Sequence, residues 1–161
     1  MDRRRRKAFT LIELLIVITI LAIIAAIAVP KFLDASEDAR ESALATNLQM
    51  LRRQIALYRL QHGDRGPHLD ENDNEDTRNI VARMTGRTDA NGKIIETGAF
   101  GPYMKEWPSN PFCDAAIAQE VTAGAASIYV RDGSSGWYYC TTTCLISANS
   151  TIGAERCELL E

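Results

Sequence analysis

Positive charge is scarce over most of this chain, and so is histidine. The 161 residues hold 18 Lys and Arg against 21 Asp and Glu, with two histidines and a formal net charge of −3. That balance excludes a broad basic surface for nucleic acid, and no nucleic-acid partner is expected. Five prolines and ten glycines exclude collagen-like sequence, while an apolar share of 46% excludes wholesale disorder. Only one apolar run is long, which excludes a polytopic membrane protein. No serine stands in a nucleophile elbow or a P-loop. His62 and His68 fall in a polar stretch without a nucleophile and read as solvated loop residues. No catalytic residue and no cofactor is therefore expected. The length suits one domain, or a small domain with an appendage.

The charge that is present is unevenly distributed. Met1 to Ala8 carries Arg3, Arg4, Arg5, Arg6 and Lys7 against Asp2, a net of +4. The next 21 residues, Phe9 to Val29, are apolar except for Thr10, Glu13 and Thr19. The remaining 132 hold 13 bases and 19 acids, a net of −6. As a helix, Phe9 to Val29 reaches roughly 31 Å, the hydrocarbon thickness of a bilayer. Cationic residues ahead of it predict a cytoplasmic N-terminus with everything after Val29 on the far side. A single-span anchor, a buried core helix and a secretory signal peptide are all compatible with the run, and Ala26-Ile27-Ala28 offers a small-x-small cleavage site before Val29. Glu13 separates these readings. A charged side chain at a span's centre costs about 2.5–3.5 kcal/mol and normally marks a function with a partner. No partner for it is evident within the span.

The run Lys7-Ala8-Phe9-Thr10-Leu11-Ile12-Glu13-Leu14 resembles the class III signal of type IV pilins and type II secretion pseudopilins. The resemblance implies cleavage between Ala8 and Phe9 by a prepilin peptidase and N-methylation of Phe9, which makes Glu13 the fifth residue of the mature chain. Ala8 replaces the family's usual glycine. Pro30 falls at mature position 22, where the family's helix is interrupted by proline; physically it removes one backbone donor. The family also supplies a partner for Glu13, the N-terminal amine of Phe9 on a neighbouring subunit in a filament.

Beyond Pro30 the pattern turns amphipathic. Leu44, Leu48, Leu51, Ile55 and Tyr58 recur at spacings of four and three, while Glu37, Asp38, Arg40, Glu41, Arg52, Arg53 and Arg59 supply polar faces. This predicts a helix running to about Gln61 and ended by Gly63, continuous with the apolar run. Asp70 to Asp76 is acidic, but Glu75 takes the place of the glycine and Val81 that of the last glutamate in a calcium loop, so a solvated loop is expected. Asp76 is the expected cap of a short helix through Met84, closed by Gly86. Asn91-Gly92 signals a turn. Gly101-Pro102-Tyr103-Met104 through Trp107-Pro108-Ser109-Asn110-Pro111-Phe112 resembles a loop of the major (G-type) pseudopilins that packs on the N-terminal helix. Gly136 to Cys140 and Leu145 to Asn149 read as two strands of a hairpin, again similar to that family's closing hairpin. Its calcium loop has no counterpart here, since Asp132, Glu155 and Glu158 lack the spacing; no metal is expected.

Cys113, Cys140, Cys144 and Cys157 all follow the apolar run, and an even number outside the cytoplasm favours disulfides. Cys140 and Cys144 flank the hairpin turn, so Cys140–Cys144 with Cys113–Cys157 is the preferred pairing; a zinc site is the alternative, without a histidine to complete it. Asn149-Ser150-Thr151 is a glycosylation sequon by pattern alone. The expected fold is α+β and pilin-like: a basic leader (1–8), a transmembrane and assembly helix (9–29), its amphipathic continuation (30–62), and an extracytoplasmic head (63–161) in which a small antiparallel sheet packs on the helix. The resemblance implies a homo-oligomeric helical filament in the bacterial inner membrane, serving type II protein secretion with an assembly platform and a secretion ATPase. A type IV pilus subunit for adhesion, motility or DNA uptake is the alternative, and a secreted domain released after Ala28 a more distant one.

Overall fold

The computed structural model describes residues 9–126 and 132–150. Helix α1 runs Leu11–Gln61 with Pro30 inside it; a 3-10 turn (Thr77–Asn79) leads into α2 (Ile80–Thr85), and three strands follow, β1 (Val121–Gly124), β2 (Trp137–Cys140) and β3 (Ile146–Ala148). The chain divides into two compact units, Met1–Ala39 and Arg40–Glu161.

Among its described residues the first unit has no core of its own. All described side chains from Phe9 to Leu33 are exposed, as expected of a helix that is apolar on every face. Within the second unit, the predicted stripe Leu44, Leu48, Leu51, Ile55 and Tyr58 is buried, and against it pack Ile80 and Met84 of α2, Trp107, and Trp137, Tyr139 and Ile146 of the sheet. Burying such side chains is worth roughly 1.5–3 kcal/mol each. His62 and Gly63, the latter at φ 64°, end α1 as the sequence predicts.

The hairpin is present: β2 and β3 pair antiparallel, with Trp137 opposite Ala148 and Tyr139 opposite Ile146. The sheet as a whole is mixed rather than antiparallel. β1, not foreseen, pairs parallel to β2 with Val121 opposite Trp137. Its sequence, Val-Thr-Ala-Gly, is too short and too poor in large apolar residues to announce a strand.

The proline-rich loop packs on α1 as expected. Asn47 Nδ2 donates to the Ser109 carbonyl (3.1 Å), and the Tyr103 hydroxyl donates to Gln61 Oε1 (2.7 Å). Buried Asn110 ties this loop to the sheet, donating to the Gly136 carbonyl (2.8 Å) while its amide donates to Ala118. Gly136 permits that approach, because a Cβ there would collide with the Ala118 carbonyl.

α2 ends at Thr85 with Gly86 beyond it, but Asp76 makes no side-chain cap. Its carboxylate instead accepts from Asn79 Nδ2 (2.8 Å) and pairs with buried Arg83 (2.7 Å). A buried guanidinium outcompetes backbone amides for the carboxylate. The Asn91-Gly92 turn sits under an antiparallel bridge from Thr88 to Ile94, with Gly92 at φ 82°.

Candidate assembly segment

Phe9 to Leu33 presents a predominantly apolar surface, interrupted only by Thr10, Glu13, Thr19 and Lys31, with Phe9 84% and Leu11 88% exposed. A patch of that extent is far beyond what a lone soluble protein tolerates and marks a surface meant for lipid or another protein. α1 is the one described helix long and apolar enough to cross a membrane. Thr19 fits either environment, since its hydroxyl donates to the carbonyls of Leu15 (3.0 Å) and Ile16 (2.8 Å).

Glu13 has a partner after all, inside its own chain. The Thr10 amide and hydroxyl both donate to Glu13 Oε2 (2.8 and 2.9 Å), while the Glu13 amide donates back to the Thr10 hydroxyl (3.2 Å). This is a reciprocal cap: threonine before the first turn and glutamate three residues on satisfy two orphan amides between them. It fixes the carboxylate at the helix N-terminus, one residue from Phe9, where the helix dipole favours negative charge. The Thr-x-x-Glu spacing is legible in the sequence and was the missed signal. Ala8, the other half of the expected cleavage junction, lies outside the described residues. Pro30 sits within α1 and withholds one donor from the ladder.

In the second unit the two histidines are buried, not solvated: His62 is 2% and His68 6% exposed. His62 stands between the Tyr58 carbonyl (Nδ1, 2.8 Å) and the Thr88 hydroxyl (Nε2, 3.0 Å). His68 Nδ1 lies 3.2 Å from the Tyr139 hydroxyl, and burial pushes its pKa down. Polar sequence neighbours hid both, because each folds inward onto a distant partner, Thr88 for His62 and Tyr139 for His68, 26 and 71 positions further along.

The Cys140–Cys144 bridge is not formed; Cys113, Cys140 and Cys144 are free thiols. Cys144, at φ 56°, packs with the core on the Tyr139 side. Cys140, next to Tyr139 on β2, faces the other way by strand alternation, its sulfur 3.9 Å from the Ala125 carbonyl. Cys157, and with it the pairing to Cys113, lies outside the described residues. Burial and nearby Asp114 raise the pKa of Cys113.

The acidic loop is internally satisfied. Asp70 accepts the amides of Asn72 (2.8 Å) and Asn74 (2.9 Å), which lowers its pKa, and Arg65 pairs with Asp73 (3.0 Å). Among the described residues, no three His, Cys, Asp or Glu converge as metal ligands. Asp132 accepts Asn149 Nδ2 (3.0 Å); Glu155 and Glu158 lie outside the described residues. Asn149, which also donates to Ser135 (2.9 Å), is fully buried.

Residues 3–29 match the family described as the prokaryotic N-terminal methylation motif. The chain is 47% identical over 47 residues to the type IV major pilin protein PilA of Myxococcus xanthus, covering 29% of this chain and 21% of that protein. It is 42% identical over 57 residues to the type IV narrow pilus major component PilA5 of Thermus thermophilus, covering 35% and 49%. Type II secretion system core protein G of Pseudomonas aeruginosa is 31% identical over 62 residues, covering 38% and 44%. The chain thus spans less than half the length of each of these relatives. No solved structure matches it. Its N-terminal region carries the methylation motif, and the described chain has an α+β, pilin-like fold with a long N-terminal apolar helix.

Proposed function

We propose that this chain is a structural, non-catalytic subunit that polymerises through its apolar helix into a pseudopilus for type II protein secretion. The observation that carries this reading is the wholly exposed apolar segment whose only acid, Glu13, is held at the helix start beside Phe9. The precursor enters the inner membrane with its basic leader in the cytoplasm and its acidic head in the periplasm. A prepilin peptidase cuts between Ala8 and Phe9 and methylates Phe9. In the filament, Glu13 then pairs with the Phe9 amine of a neighbouring subunit. Two groups that are costly alone in a water-poor environment offset part of each other's cost, so charge as well as packing sets the register between subunits. The platform and ATPase of a secretion system would extract subunits from lipid and extend the filament.

A type IV pilus subunit is the second reading, favoured by the two pilus relatives. Mass spectrometry of the native N-terminus tests the shared part. Methylated Phe9 is expected; an unmethylated N-terminus at Val29 would sink both readings. Short filaments confined to the cell envelope favour secretion, and long surface filaments favour the pilus.

A further inference from the structure

The sheet turns Trp137 and Tyr139 of β2 into the core, so strand alternation sends Tyr138 and Cys140 to its other face. There, with Leu145 and Ser147 from the β3 side, they line a cavity of about 380 Å³. Arg52 of α1 reaches the same cavity, its Nε donating to the Ile146 carbonyl (3.4 Å). A thiol and a guanidinium therefore share one cavity, and Leu145 in its wall is 58% exposed, so the space opens to solvent. The hairpin turn adds hydrogen bonds to the Cys140 sulfur from the amides and hydroxyls of Thr142 and Thr143. Burial acts to raise the pKa of this thiol, but the threonine donors outweigh it and bring the pKa below the ordinary value. Cys113 goes the other way, raised by burial and by Asp114. A thiol with a lowered pKa in a partly open, electropositive setting has the surroundings of a reactive cysteine rather than an inert one.

We infer that this cavity is a thiol-exchange site, in which Cys140 takes up one half of a small acidic disulfide while Arg52 receives the ligand's carboxylate. The inference is independent of the filament reading, which makes no use of this cavity. Cys140 first gives its proton to water and keeps the electron pair on sulfur. That thiolate attacks one sulfur of the ligand. The new bond to Cys140 forms, the ligand's S–S bond breaks, and the other half leaves as a thiolate. The ligand's disulfide is the oxidant, so the exchange needs no further one. The threonine donors hold the attacking thiolate, and a carboxylate suits the planar fork of a guanidinium.

Glutathione disulfide and the uncharged bis(2-hydroxyethyl) disulfide, each added to the full-length chain, test this. Peptide mass spectrometry is expected to find the glutathione adduct forming at Cys140 about tenfold faster than at Cys113. Arg52→Gln should lower the ratio of the Cys140 rates with the charged and uncharged reagents about fivefold, a ratio that a general loosening of the head would leave unchanged. Thr143→Val should move the midpoint of the Cys140 pH–rate curve upward, because one donor to the thiolate is lost. Reaction at Cys140 no faster than at Cys113 would overturn the site, as would an unchanged reagent ratio in Arg52→Gln. Loss of two hydrogens without any adduct, the mark of Cys140 closing onto Cys144, would overturn it as well. None of these results bears on methylation of Phe9 or on filament formation.

Discussion

His62 stacks on Tyr58, one turn earlier in α1, with ring centroids 4.0 Å apart and planes within 10°. The pair joins the end of the helix to the loop carrying Thr88 and to Tyr103 of the proline-rich loop. Replacing His62 by alanine removes an aromatic-sized side chain from a closed site and leaves the Thr88 hydroxyl without its partner. A loss of about 3 kcal/mol is expected in chemical denaturation of the second unit.

His68 makes stability depend on pH. Burial, aided by Arg83 and opposed by Glu75, holds its folded pKa below the ordinary 6.5. The unfolded chain therefore binds the proton first, and stability falls as pH drops below about 6.5, until the folded value is also passed. The lowered carboxylates Asp70 and Asp76 act only at lower pH, where their stabilising contribution is lost as they protonate. His68→Gln should flatten the thermal midpoint between pH 6.5 and 5 and leave the more acidic limb intact; an unchanged slope would exclude His68 as its source.

Arg83 ties together three separate stretches of backbone. Its guanidinium donates to the carbonyls of Gly92, Pro67 and Asp76, each at 3.1 Å, as well as to the Asp76 carboxylate. Arg83→Ala should cost about 3 kcal/mol or more, and Arg83→Lys should recover little, since an ammonium cannot reach the same fork of acceptors. Urea midpoints of the three proteins provide the comparison.

Gly136→Ala should separate the proline-rich loop from the sheet. Its Cβ meets the Ala118 backbone, and relief by backbone movement costs roughly 1–3 kcal/mol. Faster amide exchange at Asn110 and Trp137, with α2 unaffected, is the expected signature.

Thr10→Val removes the hydroxyl that both donates to Glu13 and caps its amide, while the Thr10 amide remains. Filament yield should fall less than in Glu13→Val, which removes the carboxylate altogether. A wild-type yield in Thr10→Val would show that the threonine hydroxyl has no part in assembly.

The long helix and its buried stripe were legible because Leu44 to Tyr58 repeats at one unambiguous period. The hairpin was legible because its aromatic strand is bounded by glycine and threonine. β1 was not, having neither length nor large side chains. The histidines were misread because burial there depends on partners distant in sequence, Thr88 and Tyr139, which no local window contains. The Glu13 site was half legible. Its charge in an apolar run is conspicuous, whereas the threonine that caps it looks like one more minor polar exception to that run.

Every side chain of the described core lies between Leu44 and Ala148, so none belongs to the apolar segment. The fold of the second unit is therefore indifferent to what surrounds residues 9–33. On the proposed reading, transfer of that segment from lipid to a filament would exchange one solvent for another around a single helix, and the core of the second unit need not loosen for the exchange to occur.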